Sequence, residues 1–268
     1  FPNTFVEDDF QNGAGHELIA HPNVNLTWTE NAHTHTKYYL FDDYQLITGS
    51  INIEDRHRGY FDYMMHLVAD NLGEHFQARE SGELEPNPER EFEFFFNQTM
   101  HGQKRFEIKS RLLRMLNEVK KTLHIEVAYI GDPDINKAII AAARRGVEVN
   151  LLLSEKANIG NDNNYRSAQS LLKSSPLRIF LTPVMIHSKM IAFDRETVFS
   201  GSANISIFSM SKSAELNTLV RNPDLVKDFL AVADSRKAAS TQVNNPSELD
   251  DYSRPLALLQ ELHQKLNL

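Results

Sequence analysis

The sequence predicts an α/β fold built from two related halves, and two observations lead to this prediction. One pattern of six residues, HxKx4Dx6GSxN, occurs twice in the 268-residue chain, and each residue of the second copy lies 152 positions after its counterpart. In addition, short apolar strands alternate with amphipathic helices along the second half, which is typical of a layered α/β protein. We therefore expect an α-β-α sandwich with two pseudo-symmetric halves.

The repeated pattern supplies the same side chains to both halves. The first copy consists of His35, Lys37, Asp42, Gly49, Ser50 and Asn52. The second copy consists of His187, Lys189, Asp194, Gly201, Ser202 and Asn204. At residue frequencies of about 5%, six fixed identities match by chance at roughly one position in 10^7 to 10^8. The repeat therefore indicates a duplication that kept its polar residues.

Elements of the first half follow from its apolar runs. Strands are expected over 24–28 and 36–41, and a further short strand should end at Gly49, where the chain turns sharply. The acidic, proline-containing stretch 82–90 predicts an exposed linker, and the polar stretch 97–104 predicts a second break.

The second half can be followed element by element. Helices are expected over 106–123, 133–145 and 167–172. Strands are expected over 124–130, 147–153, 177–181, 184–193 and 197–200. The polar stretch 155–165 predicts a loop, and an amphipathic helix is expected over 255–268. Because a helix joins the first two strands, these two should be parallel.

These elements divide the chain into three parts: a first half at 1–104, a second half at 105–243 and a C-terminal tail at 244–268. Only 34 residues precede His35, and none of them forms a strand–helix–strand unit like the one expected at 124–153. By comparison with the second half, we expect that roughly 100 residues of an N-terminal half are absent from this chain or are supplied by a partner chain.

The polar residues of the pattern suit a phosphodiester. Residues two apart on a strand share a face, so His187 and Lys189 should point the same way, as should His35 and Lys37. Lysine offers a point charge to phosphate oxygens, and asparagine offers N–H donors. Histidine acts as a nucleophile or as a proton donor near neutral pH, so two half-sites could provide one of each.

At these residues the sequence resembles the phospholipase D superfamily, whose enzymes carry two HKD motifs. The stretches 128–134, 142–150, 187–190 and 201–206 look most like the cardiolipin synthase branch. The resemblance implies two α/β halves around one site, a reaction that needs no metal or other cofactor, and a phosphohistidine intermediate. It also implies a phospholipid substrate, met at a membrane surface and processed by hydrolysis or by phosphatidyl transfer.

The resemblance further implies a role for each matched residue. His35 and His187 would be the catalytic pair, with His35 as nucleophile and His187 as acid and base. The lysines Lys37 and Lys189 would bind the phosphate, together with Asn52, Asn204, Ser50 and Ser202. An acidic residue after each motif would hold the other nitrogen of the histidine, and the candidates are Asp62 and Glu215. Four motif residues are interpreted as structural: Asp42, Asp194, Gly49 and Gly201.

Composition narrows the remaining choices. The chain has no cysteine, which excludes disulfides and thiolate metal sites, and no apolar run approaches the 18 residues of a membrane-spanning helix. We therefore expect a soluble chain that meets a membrane, if at all, from its surface, and the compartment stays open. The net charge of -8 argues against nucleic acid as partner and equally against tight binding to an anionic lipid surface, although a local basic cleft is compatible with it.

Alternative functions and sites remain beside this interpretation. The same motifs would serve an HKD-family nuclease, and a non-catalytic scaffold is a third hypothesis. His33 and His35 could also be taken for a metal pair, but zinc needs three or four converging ligands and no further spaced set accompanies them. Other histidines, His57 among them, follow no pattern and are expected at the surface or at the edge of the core.

Overall fold

The computed structural model describes residues 20–25, 33–53, 55–158, 160–249 and 251–266. Within these residues, twelve strands form one sheet of nine strands and one of three, and seven α-helices accompany them. The predicted α/β class is therefore confirmed. The strand predicted over 24–28 lies mostly outside the described residues, and 24–25 are not part of a strand.

The nine-stranded sheet is the centre of the fold. Its strands are β4 (Phe92–Met100), β5 (Gln103–Phe106), β6 (Thr122–Val127), β7 (Glu148–Ser154), β8 (Arg178–Thr182), β9 (Lys189–Phe193), β10 (Thr197–Gly201), β11 (Glu215–Val220) and β12 (Thr241–Val243). Their spatial order is β12-β8-β7-β6-β9-β10-β11-β4-β5. Strands β6, β7 and β8 are parallel, as the helical connections require, and β9 joins β6 antiparallel.

Helices cover both faces of this sheet. One face carries α2 (Ile108–Glu118), α3 (Pro133–Arg144) and α4 (Asn161–Ser174), and the other carries α1 (Leu72–Ser81) and α6 (Pro223–Ala238). Strand β9 contributes to the hydrophobic core on each face. Ile191 packs on the side of α2, α3 and α4, whereas its neighbours Met190 and Ala192 pack on the side of α1 and α6. The result is the predicted α-β-α sandwich. Two further helices, α5 (Ile207–Ser211) and α7 (Arg254–Leu266), pack against each other at its edge.

The three-stranded sheet belongs to the first motif. It consists of β1 (Tyr38–Phe41), β2 (Gln45–Gly49) and β3 (Met64–Val68), joined in antiparallel order β1-β2-β3. Leu46 and Leu67 of this sheet share a buried cluster with Phe76 of α1 and Phe94 of β4. The small sheet is thereby held against one face of the large one.

Both motif histidines precede their strands, which corrects the predicted strands over 36–41 and 184–193. Strand β1 begins at Tyr38 and β9 begins at Lys189. The reason is that the backbone beside each histidine pairs with the chain of the other half and not with a neighbouring strand of its own sheet. The lysine of the second motif is the first residue of β9, and that of the first motif lies one residue before β1.

Two stretches predicted as irregular are ordered. The stretch 97–104 is not a break, because it contains the end of β4 and the start of β5, which form a hairpin. The expected boundary between residues 104 and 105 falls inside β5, a strand of the large sheet. Helix α4 begins within the predicted loop 155–165, because its Asn164 faces inward and bonds the backbone of Ile130 and Ala128. Helix α2 is shorter than the predicted 106–123, because β6 begins at Thr122.

The motif glycines lie where neighbouring strands meet most closely. A Cβ atom on Gly49 would collide with the carbonyl oxygen of Tyr63, and a Cβ atom on Gly201 would collide with that of Leu216. Each position therefore accepts only glycine without a shift of the backbone. Gly49 pairs with Met64 at the start of β3, and Gly201 pairs with Asn217 near the start of β11, so both glycines fix the beginning of the neighbouring strand.

The motif aspartates occupy matching turns with different contacts. Asp42 has φ 51° and Asp194 has φ 53°, so both adopt the left-handed conformation that tightens a three-residue hairpin loop. The carboxylate of Asp194 accepts hydrogen bonds from the backbone N–H groups of Lys121 at 2.6 Å and Thr122 at 3.0 Å. Burial alone would raise the pKa of Asp194, but these backbone donors outweigh it and lower the pKa. Asp42 is exposed and makes no such contact with the described residues.

Among the described residues, no helix combines the length and the apolar character that crossing a bilayer requires.

Asp194→Ala should destabilise the protein more than Asp42→Ala. Both substitutions place alanine at a positive φ, so the backbone penalty is shared, and only Asp194→Ala removes the acceptor of the N–H groups of Lys121 and Thr122 at the start of β6. We expect a difference of about 2 kcal/mol in the free energy of unfolding, as is usual for hydrogen bonds to a charged group. Urea unfolding of the two variants measures it, and equal losses would contradict this role for Asp194.

Candidate active site

Each motif histidine is fixed by the backbone of the other half. The N–H of His35 donates to the carbonyl of Ala214 at 2.8 Å, and the N–H of His187 donates to the carbonyl of Phe61 at 2.8 Å. Isolated bridges join Thr34 with Ala214 and Phe61 with Ile186, so each histidine follows a bridge residue directly. The two histidine segments therefore exchange the same contact across the boundary between the halves.

The carboxylates cross the same boundary. Nδ1 of His35 lies 3.0 Å from Oε2 of Glu215, and Nδ1 of His187 lies 2.7 Å from Oδ2 of Asp62. The expectation that each carboxylate serves the motif it follows is therefore wrong in its pairing. The crossed pairing follows from the positions of the two carboxylates in the chain. Asp62 and Glu215 each directly follow the residue that bridges to the opposite histidine segment. In each half the carboxylate contacts Nδ1 and not the second imidazole nitrogen, Nε2.

Both carboxylates accept further hydrogen bonds from their own halves. Ser50 donates to Oδ1 of Asp62, which also accepts the N–H of Tyr63 at 3.0 Å. Ser202 donates to Oε2 of Glu215 at 2.5 Å. The motif serines thus hold the carboxylates of their own halves, in contrast to the expected contact with substrate. The hydroxyl of each serine makes the carboxylate a fixed, ionised partner for the opposite histidine.

The two lysines lie close to their histidines and within reach of the opposite motif. Nζ of Lys37 donates to the carbonyl of His35 at 2.7 Å, and Nζ of Lys189 donates to the carbonyl of His187 at 2.5 Å. Nζ of Lys189 also lies 3.1 Å from Nε2 of His187. The charges of Asp62, Lys37 and Glu215 all act on Lys189, so both motifs contribute to one electrostatic centre.

Burial sets the protonation of this centre. It lowers the pKa of His187 to about 4, although the hydrogen bond to Asp62 acts in the opposite direction. Burial likewise lowers the pKa of Lys189 to about 7. For Asp62 and Glu215 burial favours the neutral acid, but the hydrogen bonds and charges of their histidines outweigh it and lower both pKa values. Near neutral pH the site therefore holds two carboxylates, a neutral His187 and a lysine that readily gives up its proton.

His57 is a third histidine at this centre, and the expectation that it lies at the surface or core edge is wrong. It is buried in the 3-10 turn Asp55–Gly59, and its Nδ1 lies 3.3 Å from Oδ2 of Asp62. Its ring meets that of His187 edge-on at 4.4 Å between centroids. The repeated pattern did not indicate this role for His57, because the equivalent segment of the second half carries no histidine.

The same three residues form the set most suited to a metal ion among the described residues. Ligand atoms of His57, Asp62 and His187 lie within 4.8 Å of one another. Hydrogen bonds between Asp62 and the two imidazoles account for this spacing without an ion. The pair His33 and His35 does not converge on a common point, because His33 packs edge-on against Phe208 while His35 turns to Glu215.

A buried ion pair, Glu126 with Arg236, lies next to the site. Glu126 of β6 accepts hydrogen bonds from Ser188 and from Arg236 of α6, and burial raises the pKa of Glu126. Arg236 also donates to the backbone carbonyl of Asp62 at 3.2 Å and lies over the ring of Phe61 at 4.6 Å. Arg236 therefore braces both segments that carry the His187–Asp62 contact. No spacing in the sequence marks these residues, because they come from elements far apart in the chain.

The motif asparagines differ in their surroundings. Nδ2 of Asn52 lies 3.4 Å from Nε2 of His57, whereas Oδ1 of Asn204 is buried without a hydrogen-bond partner among the described residues. An open groove of about 400 Å³ adjoins Asn52 and His57, and its other lining residues are Ile51, Ile53, Asp55 and Arg58. Ile53 is 81% exposed, so apolar surface lies beside the polar centre.

Part of the chain is similar in sequence to known proteins. Residues 112–236 match the family model described as "Cardiolipin synthase, PLD-like domain". A phospholipase D of Rickettsia typhi is 26% identical over 132 residues, which are 48% of this chain and 63% of that protein. Cardiolipin synthase 1 of Staphylococcus aureus is 29% identical over 148 residues, which are 54% of this chain and 29% of that protein. The match thus spans less than two thirds of either relative.

Among solved structures, phosphatidylserine synthase of Haemophilus influenzae shares the fold with a TM-score of 0.64 at 12% identity, over 87% of this chain and 69% of that one. Together, these similarities support the phospholipase D superfamily as the family of this chain.

Lys189→Met should flatten the pH dependence of stability. Folding lowers the pKa of Lys189 from 10.5 to about 7, so between these values the unfolded chain binds more protons than the folded one. Stability from this group therefore rises with pH, by about 2 kcal/mol between pH 7 and pH 9. Urea unfolding at both pH values tests this, with Lys227→Met on the exposed side of α6 as the control for lost charge. An unchanged pH dependence in Lys189→Met would contradict the buried position of the ammonium group.

Proposed function

We propose that this chain is a phospholipase D-like enzyme that cleaves a phosphodiester of a phospholipid by hydrolysis or phosphatidyl transfer. The proposal is carried by one observation. Two histidines from different motifs each present Nε2 while a buried carboxylate of the other half holds Nδ1. One imidazole can then attack phosphorus while the other handles the proton of the leaving or entering oxygen.

The first step forms a phosphohistidine on His35. Binding of the phosphodiester raises the pKa of His187, whose Nε2 takes a proton from the neighbouring ammonium group of Lys189. Nε2 of His35 then attacks phosphorus, the bond between phosphorus and the leaving oxygen breaks, and Nε2 of His187 gives this proton to that oxygen. In the second step water or an alcohol attacks phosphorus, His187 takes the proton of the attacking oxygen, and the phosphorus–nitrogen bond breaks. Lys37 and Lys189 offset the charge that builds on the phosphoryl oxygens.

Accessibility supports this order of roles. The side chain of His35 is 31% exposed, whereas that of His187 is 9% exposed and its Nε2 already faces Nζ of Lys189. The accessible imidazole is the better nucleophile for an entering phosphodiester. The buried pair of His187 and Lys189 is suited to hold a proton, because the negative charge of a bound phosphodiester raises the pKa of both groups.

A phospholipid suits the surroundings better than nucleic acid. The groove beside Asn52 carries the apolar side chains of Ile51 and Ile53 next to the polar centre. The names of the relatives, phospholipase D and cardiolipin synthase, and that of the structural neighbour, phosphatidylserine synthase, agree with this substrate class. We propose that the chain meets this substrate at a membrane surface.

His35→Ala and His187→Ala should each lower phosphodiesterase activity by about 10^3-fold or more, since each removes one half of the acid–base and nucleophilic pair. The assay uses radiolabelled phosphatidylglycerol and phosphatidylcholine vesicles. His66→Ala is the control, because His66 is an exposed residue of β3 that bonds only Gln45. EDTA should leave the activity unchanged. Full activity in either site variant would refute the assignment.

The same assay separates the possible products and substrates. Adding glycerol or phosphatidylglycerol as acceptor reports transfer against hydrolysis, and acid-labile label retained on the wild-type protein but not on His35→Ala reports the phosphohistidine. Single- and double-stranded DNA and RNA are tested in parallel. Cleavage of nucleic acid with no turnover of any phospholipid would overturn the proposed substrate class and leave the two-histidine chemistry in place.

A further inference from the structure

His57 occupies a position between the proton-handling histidine and a motif asparagine. Its side chain is 5% exposed, and its Nδ1 lies 3.3 Å from the same oxygen of Asp62 that bonds His187. On its other side, Nε2 lies 3.4 Å from the amide nitrogen of Asn52. Both ring nitrogens therefore face polar groups of the site.

The donors and acceptors fix one tautomer. The amide nitrogen of Asn52 can only donate, so Nε2 of His57 must accept and Nδ1 must carry the proton. That proton is donated to Oδ2 of Asp62, which also accepts from His187. A continuous series of hydrogen bonds then runs from Asn52 through His57 and Asp62 to His187.

The second half has a serine at the position that corresponds to His57. Its carboxylate, Glu215, accepts a hydrogen bond from Ser209, which lies six residues before it, as His57 lies five residues before Asp62. A serine hydroxyl can donate to the carboxylate. Unlike an imidazole ring, it has no second nitrogen on its opposite side to contact the motif asparagine. Among the described residues, a series of hydrogen bonds from carboxylate to motif asparagine is thus formed beside His187 and not beside His35.

We propose that His57 is a positioning residue that shares the Asp62 carboxylate with His187 and ties it to Asn52, so that proton handling and phosphate binding are set together. This inference rests on the proposed function for its catalytic meaning, while its structural part concerns the protonation of His187 alone.

The proposal has a defined electrostatic consequence. His57 takes part of the hydrogen-bonding capacity of Asp62, so less of it is left to stabilise the imidazolium form of His187, and the pKa of His187 is lower for it. The other charged groups facing this cluster are Lys189, beside His187, and Arg236, which bonds the Asp62 carbonyl. Asp55 and Arg58 of the same turn pair with each other at the surface. Removing His57 should therefore raise the pKa of His187.

The test compares His57→Phe, which keeps a ring but removes both nitrogens, with His57→Gln, whose amide can donate to Asp62 and accept from Asn52. His75→Phe is the matched control. His75 is also 5% exposed and also lies 3.3 Å from a buried carboxylate, that of Glu93, but it belongs to α1 outside the site. Histidine side-chain NMR follows the titration of His187 in each variant.

We expect the titration midpoint of His187 to rise by about half a pH unit or more in His57→Phe, to return toward the wild-type value in His57→Gln and to stay unchanged in His75→Phe. In phospholipid assays, His57→Phe should raise KM by about tenfold through the loosened Asn52 and shift the pH profile of kcat upward. If His57→Phe does not fold, His57→Ala replaces it.

An unchanged His187 midpoint in a folded variant lacking both nitrogens would overturn the proposal, as would an equal shift in His75→Phe. The NMR titration needs no turnover. An inactive wild-type protein with the expected midpoint shift would therefore refute the proposed function and support the role of His57, whereas an active protein with no shift would do the reverse.

Discussion

The exchange of carboxylates between the halves is the contact on which the site depends. Asp62 follows the first motif but holds the histidine of the second, and Glu215 follows the second motif but holds the histidine of the first. Each imidazole is therefore oriented only when both halves are folded and docked. The backbone bridges beside these residues and the close approaches at Gly49 and Gly201 all serve to fix this crossed arrangement.

Burial gives the site its chemistry at the expense of stability. An ammonium group at Lys189 and a carboxylate at Glu126 lie almost fully inside the protein, where charge is disfavoured. The carboxylates of Asp62 and Glu215 offset part of this effect for Lys189, and Arg236 does so for Glu126. The same burial keeps Lys189 close to losing its proton near neutral pH, which an exposed lysine would not be. Proton transfer at this site thus depends on the burial of Lys189.

The sequence was sufficient for the α/β class, the sandwich and the two motifs, because periodicity and the repeat are local signals. It was insufficient for the pairing of Asp62 and Glu215, since the one-residue difference in spacing to the histidines gives no sign of which half each carboxylate enters. His57 and Arg236 were missed for a related reason, since their contacts join elements far apart in the chain. The early start of α4 was hidden by asparagines that are polar but buried.

The crossed pairing can be measured directly. In ¹⁵N-histidine spectra, the Nδ1 signals of His35 and His187 report their hydrogen bonds to carboxylate. With Asp62→Asn, the account predicts a changed Nδ1 signal for His187 and an unchanged one for His35, and with Glu215→Gln the reverse. Asp62→Asn that altered His35 while leaving His187 as in the wild type would contradict the arrangement on which the proposed site is built.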